Sequence, residues 1–153
     1  MAELTTELVE KETVQYIVVK IGDEQYGIDI SFVDNIVRMQ KITRVPSAPF
    51  HYLGVINLRG EVVPVMSVRR KMDLEDDEFT NSSRIIILKI ENHGLIGIVV
   101  DSVNVVRTLS EDDIDRTPQA KKDANFVLGV GKSEGELISI FDLSAIIDEA
   151  DAS

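Results

Sequence analysis

The sequence predicts an all-β chain with a few short helices, built as two small β-barrels that arose by internal duplication and pack together. Three observations carry this. Short runs rich in Val and Ile are cut by turn residues every eight to twelve positions. A unit with a period of about seventy residues occurs twice, its pieces in the same order. Each half alone lies near the lower size limit for a stable core, so two barrels sharing a core at their junction is the natural solution.

The elements follow in order along the chain. VQYIVVKI, GDEQ and YGIDI read as strand, turn and strand, and so do GVINL, RGE and VVPVM. RIIILKI, ENHG and LIGIVV form a third pair, and GVGKSEGELISIF a fourth. The runs are too short and too β-branched for long helices. Pro64 lacks an N–H, so its strand is expected at an edge or with a bulge there. Gly27 and Gly97, inside strands, mark a bulge or a close backbone approach. SFVDNIVRM is expected as a short helix, with Ser31 as N-cap and Phe32, Val33, Ile36 and Val37 at helical spacing. SEDDID offers Ser110 and Asp113 as a capping pair. DLSAIIDEA is expected to close the chain as a helix begun at Asp142. The acidic run Asp73 to Phe79 reads as an exposed loop between the halves.

The repeat is gapless where it is strongest. LGVINLRGEVVPVMSVRRKM, from Leu53, lies over LGVGKSEGELISIFDLSAII, from Leu128. Leu53, Gly54, Val55, Gly60 and Glu61 match Leu128, Gly129, Val130, Gly135 and Glu136. Upstream, YGIDISFVDNIV lies over IGIVVDSVNVVR, pairing Gly27 with Gly97 and Val33 with Val103. Chance likeness between valine-rich strands does not account for the shared order.

Composition narrows the function. The chain has 153 residues and no cysteine, so disulfides, thiolate metal sites and cysteine nucleophiles are out. Sixteen Lys and Arg stand against 27 Asp and Glu, a net charge of −11. Such a surface repels nucleic acid and anionic membranes. The first residues lack the pattern of a signal peptide, and no run is long enough for membrane insertion. A cytoplasmic protein is expected.

No catalytic, cofactor or metal site is readable. His93 reads as a solvated turn residue and His51 as a packed or surface one. Neither has zinc-site spacing. The acidic run lacks the alternation of a calcium loop. There is no Walker loop, no GxGxxG and no serine elbow. A small hydrolase or metal-dependent enzyme on a β-barrel is therefore disfavoured. A binding module remains, and its candidate site is Asn57 and Arg59, before the Gly60 turn. Asn57 fits a turn residue or a contact residue. Arg59 is the stronger candidate, because the second repeat keeps the glycine and the following acid but has Lys132, Ser133 and Glu134 where Asn57, Leu58 and Arg59 stand. The fold does not demand Asn and Arg, and an arginine in a rigid turn is a common interface anchor.

YIVVKIGDEQYGIDI, ITRVPSAPFHYLGVINLRGEVVPV and IGIVVDSV together closely resemble the CheW family of bacterial chemotaxis coupling proteins. The resemblance spans 14–147, and its pieces are specific only in combination. It implies two SH3-like barrels, the first at about 14–72 and the second at about 83–147, with pairing across the junction possible and flexible tails at 1–13 and 148–153. It implies a non-enzymatic adaptor, without cofactors, recruited to membrane receptor arrays. Its partners would be the regulatory domain of the CheA histidine kinase and the cytoplasmic tips of methyl-accepting chemoreceptors. A scaffold for a non-chemotactic receptor–kinase array is the alternative. A CheV-like adaptor would carry a receiver domain, for which the sequence has no room. Carried over by residue, Asn57, Leu58, Arg59 and Gly60 match the family's NLRG motif, tied to partner binding. Val33 and Ile36 match positions near a receptor-contacting groove between the barrels. Gly54, Ile85, Ile86, Gly97 and Val103 match positions implicated less securely. The family often has Asp where Ser67 stands, which puts a cap or polar contact there in question.

Overall fold

The computed structural model describes residues 12–92, 94–116 and 126–151. His93 and the outermost tail residues lie outside it. Eleven strands are described: β1 (Thr13–Ile21), β2 (Glu24–Asp29), β3 (Val33–Arg38), β4 (Tyr52–Leu58), β5 (Glu61–Ser67), β6 (Arg84–Ile90), β7 (Gly94–Val100), β8 (Ser102–Ser110), β9 (Ile114–Asp115), β10 (Val127–Ser133) and β11 (Glu136–Phe141). Helix α1 (Val68–Lys71) follows β5 and α2 (Leu143–Asp151) follows β11. Short 3₁₀ turns occupy Ile30–Phe32 and Glu111–Asp113. Among the described residues, regular structure extends from Thr13 to Asp151.

The strands form two sheets, ordered β8-β1-β2-β11-β10-β9 and β3-β6-β7-β5-β4. Neither sheet belongs to one repeat. The first two strands of each repeat complete the sheet of the other, through parallel pairs β2–β11 and β5–β7. The chain divides between residues 72 and 83, but the hydrogen bonding does not. Exchange buries edges that each small unit would otherwise leave open. It also places one large apolar cluster between the sheets, including Ile17, Ile28, Met66, Ile86 and Ile98. Smaller clusters fill the barrel interiors, around Val63, Ile85 and Ile87 in one and Val18, Ile138 and Ile140 in the other. Tyr26 and Phe141 stack across the repeats at 4.5 Å between centroids.

Residues 33–38 form strand β3 where the spacing predicts a helix. A register shift between Val33 and Asn35 explains the misreading. The bulge turns Val33 and Ile36 to the same face, so apolar residues recur at three-residue spacing in an extended chain. Pro64 meets the expectation locally, since β5 pairs with β7 only from Val65 onward and at Pro64 has a ladder partner on the β4 side alone. The missing N–H breaks no bond to β4. Its partner Val55 turns both its N–H and its C=O to Thr43, each at 2.8 Å.

The helix at the chain's end forms as predicted, with Asp142 Oδ1 accepting the N–H of Ala145 at 3.2 Å. Ser110 and Asp113 do pair, the Asp113 carboxylate accepting the Ser110 N–H at 2.9 Å. The structure also accounts for Ser67, the counterpart of Asp142. Its Oγ accepts the N–H of Arg70 at 3.1 Å, capping α1, and its hydroxyl donates to Asp77 Oδ2 at 2.5 Å. Asp77 therefore leaves the exposed loop expected for its neighbours, with a side chain only 5% exposed. The carboxylate missing at position 67 is supplied from the linker.

Burial pushes the Asp77 carboxyl above its ordinary value, against the opposing pull of Ser67 and Arg69. The folded chain then holds this proton more tightly than the unfolded chain does. The associated stability is present below the ordinary carboxylate value and is lost as pH rises through the folded pKa. Asp77→Asn is expected to remove that downward slope from a urea-denaturation series begun below the ordinary carboxylate value of 3.8 and carried to neutrality. An unaltered profile would show that Asp77 gains no proton affinity on folding. Ser67→Ala is expected to cost about 1 kcal/mol from the lost cap alone, read in the same assay.

Candidate partner-binding surfaces

The first surface lies at the junction of the barrels. β3 and β8 are edge strands of the two sheets, and each turns two apolar side chains toward the junction face. Ile36 lies opposite Ile86 and Val33 opposite Leu88, while in the other sheet Val106 lies opposite Ile17 and Val103 opposite Val19. All four partners of these residues belong to the junction core. Val33, Ile36 and Val103 are half-buried against it, and Val106 is 49% exposed. A register shift separates the two pairs in each ladder. The repeat therefore builds the same bulged, half-open apolar edge twice, and apolar surface left this way at a junction is suited to docking. Val106 is missing from the sequence-based set. The repeat could have found it, since the alignment that pairs Val33 with Val103 also pairs Ile36 with Val106.

The second surface is the β4–β5 hairpin. Arg59 and Gly60 have φ of +52° and +85°, the two-residue turn that matches strand twist and prefers Asn-Gly. Glu134 and Gly135 repeat it at +51° and +80°. Asn57 Oδ1 accepts the Gly60 N–H at 2.9 Å, so Asn57 braces the turn. Leu58 packs half-buried on the first barrel's core. Arg59 is exposed and, among the described residues, has no ion pair or hydrogen bond to its side chain. Its counterpart Glu134 takes a 2.8 Å bond from Arg107. With Leu58, Glu61, Asp34, Lys89 and Leu95, Arg59 lines a shallow groove at the end of the barrel.

Four residues of the sequence-based set lie beneath the surface. Ile85 and Ile86 are fully buried, because β6 turns alternate residues into the barrel interior and the junction core. Ile86 supports Ile36 from beneath. Gly97 is buried, and a Cβ there would stand 2.7 Å from Ile85 Cγ2. Gly54 has φ of +147°, and a Cβ would stand 2.2 Å from the Thr43 carbonyl oxygen. Both glycines are required by packing.

The comparisons with known proteins agree with this geometry. The family model for the CheW-like domain matches residues 15–151. "Chemotaxis protein CheW" of Bacillus subtilis is 36% identical over 135 residues, covering 87% of this chain and 86% of that protein. The protein of the same name in Helicobacter pylori is 33% identical over 138 residues, covering 90% and 83%. The crystal structure of the scaffolding protein TtCheW from Thermoanaerobacter tengcongensis superposes with a TM-score of 0.78, at 32% identity and 86% coverage of both chains. Two packed barrels, an NLRG hairpin and these matches have one reading: the chain belongs to the CheW-like family of chemotaxis scaffold proteins.

Proposed function

We propose that the chain is a cytoplasmic, non-enzymatic adaptor that holds the regulatory domain of CheA against the tips of methyl-accepting chemoreceptors. The carrying observation is that two separate surfaces, the apolar junction edge and the Arg59 hairpin, are exposed on one body. Val33, Ile36, Val103 and Val106 serve as the receptor-facing set. Arg59 serves as the hairpin anchor, with Asn57, Leu58 and Gly60 setting its position. Coupling then requires only assembly, in which receptor state biases the kinase through fixed geometry. No helix among the described residues is long and apolar enough to cross a membrane, so membrane recruitment would run through the receptor.

Co-sedimentation with a receptor cytoplasmic fragment and a cognate CheA tests the reading. The chain should enter the pellet only with its partners and raise CheA autophosphorylation only when receptor is present. Phosphate release from ATP by the purified chain alone would overturn the non-enzymatic assignment.

A further inference from the structure

A basic strip crosses the first barrel of this acidic chain. Residues 35–60 hold Arg38, Lys41, Arg44 and Arg59 and none of the 27 acids. Met39 and Ile42 pack on the barrel core, which leaves Arg38, Lys41 and Arg44 exposed at three-residue spacing. Among the described residues none of these three makes an ion pair. Arg69, Arg70, Arg107 and Arg116 all do. Arg38 also lies opposite Arg84 in the β3–β6 ladder, so positive charge accumulates at that end.

The strip continues into exposed apolar surface, Val45 at 45% and Phe50 at 70%. The loop that carries them is tied down. Thr43 exchanges two backbone bonds with Val55, and the Tyr52 N–H bonds to Pro49 at 3.0 Å. Arg70 donates to the Phe50 carbonyl at 2.9 Å and lies 4.5 Å from its ring centroid. A backbone and an apolar knob already held in place lose little entropy on binding. In the second repeat, where Asp115 takes the place of Thr43 against the matching valine, Asp113 stands at the position of Lys41 and Arg116 at that of Arg44. The fold therefore sets no requirement for a cation at position 41.

We propose that this strip docks an acidic segment of a protein partner, carboxylates meeting Arg38, Lys41 and Arg44 and an apolar side chain meeting Val45 and Phe50. It adjoins the junction edge, since Arg38 ends the strand that carries Val33 and Ile36. A protein segment is favoured over nucleic acid or a bilayer by range. The strip's field extends only about a Debye length, roughly 8–10 Å, and an extended polyanion would also meet the acidic remainder of the chain.

The test uses the full chain and a fluorescein-labelled peptide of repeating Glu-Glu-Leu, read by anisotropy at low and high salt. Saturable, salt-sensitive binding is expected, weakened roughly tenfold or more by the double variant Lys41→Glu, Arg44→Glu and less by Phe50→Ala. The double glutamine variant repeats the measurement if charge reversal disturbs folding. Self-association of the chain that either double variant removes would also support the strip and make a second copy the source of the acid. No saturable binding, or binding that both double variants retain, overturns the proposal. So does tighter binding of single-stranded DNA or of phosphatidylglycerol vesicles through the same residues. None of these outcomes depends on receptor or CheA, so the adaptor reading stands or falls separately.

Discussion

Val106→Asp is expected to leave the chain folded and to break receptor docking, whereas Ile86→Asp is expected to unfold it. Val106 lies on edge strand β8 of one sheet and Ile86 on interior strand β6 of the other, each on the side turned to the junction. Val106 is 49% exposed, and Ile86 has no exposed surface. An aspartate at Ile86 would be an unpaired charge in the largest apolar cluster, costing several kcal/mol against a total stability of about 5–15 kcal/mol. At Val106 the carboxylate reaches water in the free protein, and the stability change should stay within about 0.5 kcal/mol. A docked partner would remove that water. Losing a contact of this kind costs about 2 kcal/mol or more, roughly thirtyfold in affinity. Val33→Asp, half-buried on β3, should lose receptor binding as well, with a larger drop in melting temperature than Val106→Asp. Circular dichroism melts and titration with the receptor fragment decide it. A folded Val106→Asp chain that binds receptor normally would remove the junction edge from the proposed site. An Ile86→Asp chain that folds and fails to bind would restore Ile86 as a contact residue.

The strand pairs were legible because each carries its own turn signal between short apolar runs. IIIL, residues 85–88, is apolar throughout because β6 faces a core on both sides, and that same fact removes Ile85 and Ile86 from the surface. The register of the repeat was legible too. Val55 and Val130 occupy equivalent places in the two hairpins, one bridged by Thr43 and the other paired with Asp115. The strand exchange was not legible. Periodicity says which face of a strand is buried but not which strand lies beside it, and parallel pairs such as β5–β7 have no connecting turn to announce them. β3 was misread for a local reason, because a bulge imitates helical spacing. Ser67 could not be interpreted from its neighbours, since its partner Asp77 comes from the linker, ten residues on.

Arg59→Asn is expected to hold or slightly raise the stability of the chain while weakening its assembly with partners. The turn requires φ of +52° at position 59. A side chain with a Cβ is strained there, and Asn tolerates that region better than Arg. Natural sequences keep such local conflicts where something else repays them. At the matching turn Glu134 has the same conflict and gains a bond from Arg107 within the chain. Arg59 gains no such bond among the described residues. The compensation is then expected outside the chain, where a guanidinium can clamp a carboxylate or backbone carbonyls of a partner. Asn reproduces the turn but not that reach. Loss of the anchor should lower affinity by about 2 kcal/mol or more, with kinase activation falling in parallel. Arg59→Lys should recover only part of it, because a point charge lacks the planar fork. Thermal melting and kinase activation, measured on one preparation, separate the possibilities. A clear fall in melting temperature would make Arg59 a structural residue of the hairpin. Unchanged activation in Arg59→Asn would leave it an exposed turn residue with no partner, and the hairpin would cease to be a binding surface.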